Sequence, residues 1–474
     1  MKNIRLAAIK VLSLIILGGF FSASAQQKST YAEKRFERRA TESIFWSMPA
    51  VSTWALREGF KNDAGLENHG VAYFSKPFDW HLQLATPNNN ALYVFSFWNV
   101  EKDGPMVVEV PATTDEVKLF GTAMNTYQAP LVDFGNSGAD KGYGGKYIFF
   151  PEDYQGPVPS GYIPVYQNTN NAWFCLRTLI QSYDDETVAK AITFNKQIKV
   201  YPYNQPELAN SEQYVDCSGL DINTIPTYDD TYFDALNVMI QEEKVKEIDF
   251  VVMDMLKGIG IEKGKSFNPS KETRVKLKNI AHEAQNEMID LVLNNPDKFW
   301  EGSHWAYLVR PEVVTETGFT FKYKNRLDYT TRAALYYSVI TSVVTYGTET
   351  NYFVGGVDSN GEFLKGENNY VLHVPANVPV YHFWSAMVYD NKTVSFVKDM
   401  PKPGVSGLDK GLIKNEDGSI DIYFGPKAPK GKEANWAPTK PGVDYFLLFR
   451  FYGVEKELYE GNWKMGDLVK QDYL

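Results

Sequence analysis

The chain has 474 residues and a formal net charge of −10. This acidic balance excludes proteins that hold nucleic acid in a basic groove, because neutralising phosphates requires clustered Lys and Arg. At about 150 residues per domain, the length predicts three domains. Aromatic residues make up 15% of the chain, a share that favours β-sandwiches or a sugar-binding face.

The N-terminus has the pattern of a secretory signal peptide, which we expect over residues 1–25. A basic start is followed by an apolar run over residues 11–21 and by a small-residue cleavage site, Ala23-Ser-Ala25. The apolar run is too short for a membrane span, and no later segment reaches the roughly 18 apolar residues that a span needs. The sequence therefore predicts a periplasmic or secreted protein that begins at Gln26 and has no transmembrane segment.

The period of the apolar residues divides the mature chain into four parts. Residues 26–69 carry charged and apolar side chains at helical spacing and predict a helical lead-in. Residues 70–227 show short apolar runs between Gly, Pro and Asn, a pattern typical of an antiparallel β-sandwich. Residues 228–347 return to a helical period. Residues 348–474 again show strand-like runs, so we expect a second β domain at the C-terminus.

Four helices are predicted inside the helical segments. The first runs from Tyr31 and should end before Pro49, because proline disrupts helix interiors. The other three are expected in the middle domain, one over 233–255, one over Lys271–Leu293 and one from Leu327 to Tyr346.

The chain contains two cysteines, Cys175 and Cys217. In an exported protein they either form a disulfide or remain two unlinked thiols with Cys175 buried in a strand, and the sequence leaves both alternatives open. Two cysteines alone form no zinc site. The segment from His282 to Asn286 lacks the second histidine of a zinc-binding helix. The sequence thus predicts no metal and no cofactor, and it identifies no catalytic residue.

Several short blocks along the chain resemble a known pair of bacterial families. The blocks are TPNNNALY (86–93), YTTRAALYY (329–337), FWS (383–385), NEDGSIDIYF (415–424), NWAP (435–438) and RFYG (450–453). They resemble the paired domains of unknown function of families 1254, which is N-terminal, and 1214, which is C-terminal. In the first block, Asn90 and Ala91 replace the usual acid and hydroxyl residue.

The resemblance implies a fold and no established activity. The implied fold is mainly β with a helical middle domain: an N-terminal immunoglobulin-like β-sandwich, an α-helical domain and a C-terminal jelly-roll.

Seven residues in or near these blocks are candidate ligand-binding residues: Arg332, Trp384, Tyr389, Asn435, Trp436, Arg450 and Tyr452. Tyr and Trp combine a flat apolar face with one polar atom, and Arg provides a forked donor. This combination suits a small-molecule, glycan or carboxylate ligand. It equally suits a sandwich core with Trp384 buried and Arg450 paired with an acid. Arg332 either ties the helical domain to a β domain or faces a ligand.

Two functional hypotheses remain at this point. The first is a non-catalytic periplasmic binding or assembly protein, with association into a homo-oligomer as one form of it. The alternative is a periplasmic hydrolase that acts on a glycan or related substrate through a pair of carboxylates, one as acid and one as base.

Overall fold

The computed structural model describes residues 30–180, 182, 184–210, 213–345 and 350–472. The expected leader over residues 1–25 lies outside the described residues. The structure is 29% strand and 28% helix, so the fold is mixed and not mainly β. Within the described ranges, no helix is both long enough and apolar enough to cross a membrane.

The described part of the chain contains the α-helices α1 (Tyr31–Ala64), α2 (Val100–Asp103), α3 (Asp185–Asn195), α4 (Thr231–Glu242), α5 (Phe250–Lys257), α6 (Lys271–Leu293), α7 (Pro311–Thr317) and α8 (Tyr329–Ser338). Short 3-10 turns occupy Pro206–Asn210, Glu247–Asp249, Glu433–Asn435 and Lys456–Leu458.

The strands of the N-terminal half are β1 (Val71–Tyr73), β2 (Leu82–Gln83), β3 (Leu92–Asn99), β4 (Met106–Val110), β5 (Val117–Asn125), β6 (Pro130–Gly135), β7 (Gly145–Pro151), β8 (Ile163–Gln167), β9 (Asn171–Ile180), β10 (Lys199–Pro202), β11 (Tyr214–Asp216) and β12 (Ile222–Asn223). Those of the C-terminal half are β13 (Ala306–Tyr307), β14 (Thr350–Gly355), β15 (Asn369–Val374), β16 (Val380–Asp390), β17 (Gly404–Ser406), β18 (Ile420–Gly425), β19 (Trp436–Pro438), β20 (Tyr445–Val454) and β21 (Val469–Gln471).

Two packed sheets form the N-terminal β unit. A six-stranded sheet has the order β11-β1-β3-β9-β5-β6, and a four-stranded sheet has the order β10-β4-β7-β8. Alternate side chains of β3 and β9, such as Val94 and Phe174, fill the space between these sheets. The intervening side chains, such as Phe95 and Trp173, point to the opposite face and join a second core. Both faces are covered, which explains why these strands read as almost continuous apolar runs.

The C-terminal β unit repeats this arrangement. A five-stranded sheet, β13-β14-β20-β16-β17, packs on a four-stranded sheet, β19-β18-β15-β21. In β20, Leu447 and Phe449 face the space between the two sheets, whereas Phe446 and Leu448 face the same core as Phe95 of the N-terminal unit.

Helix α1 lies at the centre of the largest core, together with α4, α6 and α8. The expectation that this helix ends before Pro49 is wrong, since it continues to Ala64. Its middle is enclosed by the surrounding helices and sheets, and Pro49 is itself buried. The Pro49 carbonyl accepts a 3.2 Å hydrogen bond from Nε2 of Gln128. Tertiary packing here outweighs the local cost of a proline inside a helix.

The helices of the middle segment differ in how well their patterns predicted them. The helix Lys271–Leu293 is confirmed, with Ser270 as its N-cap. The helix expected over 233–255 is instead two helices, α4 and α5. The break occurs at Glu243, whose extended backbone lets its carboxylate accept bonds from the backbone amides of Asn170 and Asn171 at 2.6 and 3.0 Å.

The last predicted helix is also shorter than expected, because α8 ends at Ser338. The residues that follow include a run of β-branched side chains, which favour extended backbone. The segment after α8 is held by the buried Asp133, whose carboxylate oxygens accept from the backbone amides of Val344 and Thr345 at 3.0 and 2.7 Å.

Of the two alternatives for the cysteines, the structure has the unlinked thiols. Cys175 and Cys217 are free and buried, and burial raises the pKa of each thiol to about 12.

Candidate functional site

The faces that the two β units turn towards the helices carry a cluster of arginine and tyrosine side chains. On the N-terminal sheet, Tyr93 of β3 lies directly opposite Arg177 of β9. On the C-terminal sheet, Tyr352 of β14 lies directly opposite Arg450 of β20. Tyr352 and Tyr452 of the C-terminal unit lie close enough to Arg177 to raise its pKa, against the lowering effect of burial. We call Tyr93, Arg177, Tyr352, Tyr389, Arg450 and Tyr452 the arginine–tyrosine cluster.

Arg450 is 3% exposed and is held in place by two polar contacts. Its Nη1 donates to the Tyr389 hydroxyl at 2.5 Å, and its Nη2 donates to the Thr86 carbonyl at 3.1 Å. The guanidinium also lies over the rings of Tyr352 and Tyr389, at 5.6 and 5.4 Å from their centroids. These contacts use two of its five N–H donors, and none of the partners is an anion.

The loop that meets Arg450 is strained at Thr86. Thr86 is a β-branched residue with φ of 40°, a conformation that costs about 1–3 kcal/mol and persists only where the surroundings enforce it. Its backbone amide donates to the Val394 carbonyl at 2.7 Å, and its hydroxyl donates to the Ser338 carbonyl at 2.7 Å. This loop therefore contacts the helical layer and the C-terminal unit at once.

The same loop continues into the cluster through its asparagines. Nδ2 of Asn88 donates to the Tyr452 hydroxyl at 3.0 Å. The Asn90 side chain is close enough to lower the pKa of Tyr452, although burial raises that pKa overall.

Arg177 is partly buried, and its positive charge has no carboxylate partner among the described residues. Within the described residues, its guanidinium makes one long hydrogen bond, from Nη2 to the Thr341 hydroxyl at 3.4 Å. It lies 6.0 Å from the ring centroid of Tyr93. The groups that contribute most to raising the pKa of Arg177 are tyrosines and Cys175, and those that contribute most for Arg450 are tyrosines. No carboxylate is among them.

Two tyrosines of the cluster, Tyr93 and Tyr452, are held in place by ring stacking. Tyr93 stacks on Phe78 with centroids 4.2 Å apart, and Tyr452 stacks on Phe383 at 4.1 Å. Burial raises the pKa of Tyr93 above its usual value, and the Arg177 charge offsets only part of that rise. Because phenols stay neutral and guanidiniums stay charged, the cluster carries two positive charges at physiological pH.

Of the seven predicted ligand residues, the structure brings together Tyr389, Arg450 and Tyr452. Trp384 lies in the core between the C-terminal sheets and stacks on Phe449 at 5.3 Å. Asn435 is buried, and its side chain bonds both backbone groups of Ile413 at 2.8 Å. Nε1 of Trp436 donates to a strand carbonyl, that of Gly425, at 2.9 Å. These three side chains act within the C-terminal unit, away from the cluster.

Arg332 occupies a separate position between α8 and α1. It is 6% exposed, and its Nη2 donates to the Trp46 carbonyl at 2.7 Å. Its guanidinium lies 5.3 Å from the ring centroid of Tyr127. The hydrogen bond therefore ties two helices together, whereas the sequence had suggested a tie to a β domain or a contact with a ligand.

Sequence reasoning did not select Arg177, Tyr93 or Tyr352 as ligand residues. A signal existed for Arg177, which is the one charged residue in the apolar strand AWFCLRTLI (172–180). A cation in a strand covered on both faces requires a polar partner or a ligand. Tyr352 has no comparable signal, because its role depends on strand register.

Other polar features of the described residues do not form a comparable site. A surface groove of about 550 Å³ lies between α1 and α5, lined by Arg35, Arg38, Arg39, Phe250 and neighbouring residues. It contains none of the predicted ligand residues. Across the described ranges, no group of three or more His, Cys, Asp or Glu side chains is arranged to hold a metal ion.

Comparison with known families agrees with the two β units. Residues 71–202 match the family described as protein of unknown function DUF1254, and residues 349–456 match protein of unknown function DUF1214. The chain belongs to these paired families. The first match contains Tyr93 and Arg177, and the second contains Tyr352, Tyr389, Arg450 and Tyr452, so the cluster lies between the two family domains.

One solved structure is similar to this chain in fold. A crystal structure of a protein from Vibrio parahaemolyticus has a TM-score of 0.51 and 18% identity, with 92% of this chain and all of that chain covered. An uncharacterised protein from Burkholderia cenocepacia has a TM-score of 0.42 and 11% identity over 92% of this chain and 95% of that one. None of the curated proteins matches the chain.

Proposed function

We propose that the chain is an exported binding protein, periplasmic or secreted, that holds a small anion at the arginine–tyrosine cluster. The N-terminal leader pattern supports export. In this proposal the N-terminal unit is an immunoglobulin-like sandwich, the C-terminal unit is a jelly-roll, and the ligand lies where they face each other. The ligand is a small molecule or the acidic end of a glycan.

The observation that carries this proposal is the pair of guanidiniums without carboxylate partners. Removing a cation from water costs several kcal/mol unless an opposite charge or a set of hydrogen bonds compensates it. Among the described residues, neither Arg177 nor Arg450 forms an ion pair, whereas Arg57 and Arg274 do. A bound carboxylate or phosphate would supply the missing charge and accept from the remaining N–H donors.

The alternative of a hydrolase with two carboxylates receives less support from this site. Such a mechanism needs two acids that face each other across the scissile bond. The strongest electrostatic neighbours of Arg450 in the described residues are Tyr389, Tyr452 and Tyr352. These groups are suited to binding and orienting a ligand, and burial raises the pKa of Tyr389, which disfavours a role as general base near neutral pH.

Calorimetric titration with organic acids tests the proposal. Each acid is compared with its uncharged amide, for example succinate with succinamide and glucuronate with glucuronamide. We expect acids to bind and amides to bind at least about tenfold more weakly, since a hydrogen bond to a charged group contributes roughly 1.5–3 kcal/mol.

Arg177→Gln should weaken binding of the acid by about 10- to 100-fold for the same reason. The matched control is Arg38→Gln, because Arg38 is exposed on α1 and its replacement should leave the affinity unchanged. Equal affinity of acids and amides, or an unchanged affinity in Arg177→Gln, would reject the proposed function.

A further inference from the structure

Neutral polar atoms without partners lie beside Arg450 and in the loop that contacts Tyr452. Ser385 is fully buried and sits directly opposite Arg450 across the β16–β20 ladder, on the same face of the sheet. Its hydroxyl has no hydrogen-bond partner among the described residues. In the loop that contacts Tyr452, Oδ1 of Asn89 is also buried without a partner in the described part of the chain.

These unpaired atoms need a different kind of ligand group from the one that the guanidiniums need. Buried polar groups without a hydrogen bond are rare, and each costs roughly 1–3 kcal/mol. An ionised carboxylate or phosphate oxygen only accepts hydrogen bonds, so it cannot satisfy the carbonyl oxygen of Asn89. A hydroxyl both donates and accepts, and it can therefore pair with a serine hydroxyl and with either end of an amide.

We propose that the ligand is a hydroxylated carboxylic acid, such as a sugar acid or a hydroxy acid. This inference rests on the proposed function. Arg177 and Arg450 take the carboxylate, while Ser385 and Asn89 take the hydroxyls. The site thereby distinguishes a hydroxylated acid from an acid of the same shape that lacks hydroxyls.

The ordinary alternative is that Ser385 is a packed serine with no ligand. The N-terminal unit offers a matched comparison in Ser96, which is also fully buried and also lacks a hydrogen-bond partner in the described ranges. Ser96 lies between Phe95 and Phe97 on β3, so it occupies the strand face that points away from the cluster. Replacing Ser96 therefore reproduces the loss of a buried hydroxyl without touching the proposed site.

Calorimetry with paired acids tests the inference. Glucuronate is compared with cyclohexanecarboxylate, and tartrate with succinate. We expect each hydroxylated acid to bind at least about tenfold more tightly than its partner, because an unmatched buried group in the site penalises the ligand that lacks the hydroxyl. Ser385→Ala should reduce that ratio severalfold, by weakening the binding of glucuronate and strengthening that of cyclohexanecarboxylate. Ser96→Ala should change neither.

The outcomes separate this inference from the proposed function. Equal binding of the hydroxylated and plain acids would overturn the inference and leave a general anion site. Failure of all four acids to bind would overturn the proposed function itself. If Ser385→Ala does not fold, Asn89→Ala provides the same comparison, and an unchanged ratio in that variant would also overturn the inference.

Discussion

Arg450 and Thr86 are 364 positions apart in the chain, yet Nη2 of Arg450 donates to the Thr86 carbonyl at 3.1 Å. Beside this bond, the Tyr389 hydroxyl accepts from Arg450 and donates to the Pro87 carbonyl at 2.8 Å. The contact joins the C-terminal strand β20 to the loop before β3, so Arg450 serves both as a ligand candidate and as a link between the two β units.

Arg450→Gln is expected to reduce both stability and binding. The Thr86 carbonyl and the Tyr389 hydroxyl would lose a donor in a buried site, at about 2 kcal/mol in total. Urea unfolding should show this loss, whereas Arg38→Gln on the exposed surface should stay within about 0.5 kcal/mol of the parent. A stability loss in Arg450→Gln as small as that of the surface variant would contradict the link between the units.

Arg332→Ala is expected to destabilise the protein without affecting the ligand. The Trp46 carbonyl would lose its donor and Tyr127 its cation contact, which we expect to cost about 2 kcal/mol. Because Arg332 lies between α1 and α8, the affinity of the purified variant for an organic acid should equal that of the parent. A tenfold loss of affinity with an unchanged urea midpoint would restore Arg332 as a ligand residue.

Asn90→Asp should weaken anion binding, because the new carboxylate would lie beside Tyr452 and reduce the positive charge of the cluster. Two like charges a few ångströms apart in a partly buried site cost a few kcal/mol, so we expect a decrease in affinity of at least about tenfold. The control is Asn462→Asp on the exposed C-terminal surface, which adds the same charge elsewhere. An equal loss of affinity in the two variants would indicate a general effect of net charge and would contradict an anion site beside Asn90.

The stability of the protein should depend on pH through Asp249. Burial raises the pKa of this carboxyl, and Trp46 and Arg332 offset the rise only in part. The folded state then binds this proton more tightly than the unfolded state, so the contribution of Asp249 is favourable at low pH and is lost as pH rises through the folded pKa. Asp249→Asn should therefore gain stability relative to the parent between about pH 4 and pH 7. A difference that stays constant in urea unfolding over this range would refute the assignment.

Alkylation of the two cysteines tests whether they are free thiols. Their raised pKa values, about 12, leave almost no thiolate at neutral pH. We expect iodoacetamide to modify neither Cys175 nor Cys217 in the native protein and both in denaturant without reductant, as measured by mass spectrometry. Protection that persists in denaturant until a reductant is added would instead reveal a disulfide.

Sequence patterns predicted well the elements whose bounds are set by neighbouring residues. They predicted poorly the elements whose bounds depend on residues distant in sequence. The bounds of α6 follow from the Ser270 cap and from the Asn294-Asn-Pro stop, which are both local signals. The end of α8 depends on Asp133, which is distant in sequence and binds the segment after Ser338.

The residues of the candidate site likewise divide into those that local sequence predicted and those that depend on long-range packing. Tyr389, Arg450 and Tyr452 were predicted from the C-terminal blocks, whereas Arg177 was not. The pairing of Arg177 with Tyr93 depends on strand register, and its approach to Tyr352 depends on how the two β units pack. Trp384 and Asn435 were selected for the same residue chemistry, but they are fixed inside the C-terminal unit. Residue type alone does not distinguish a core aromatic from a ligand-facing one.

A crystal structure of the protein grown with glucuronate is the decisive test of the proposed site. We expect electron density for one glucuronate between the two β units, with carboxylate oxygens within about 3.2 Å of guanidinium nitrogens of Arg177 and Arg450. Well-defined density for glucuronate elsewhere, with Arg177 and Arg450 contacting only protein groups, would contradict it.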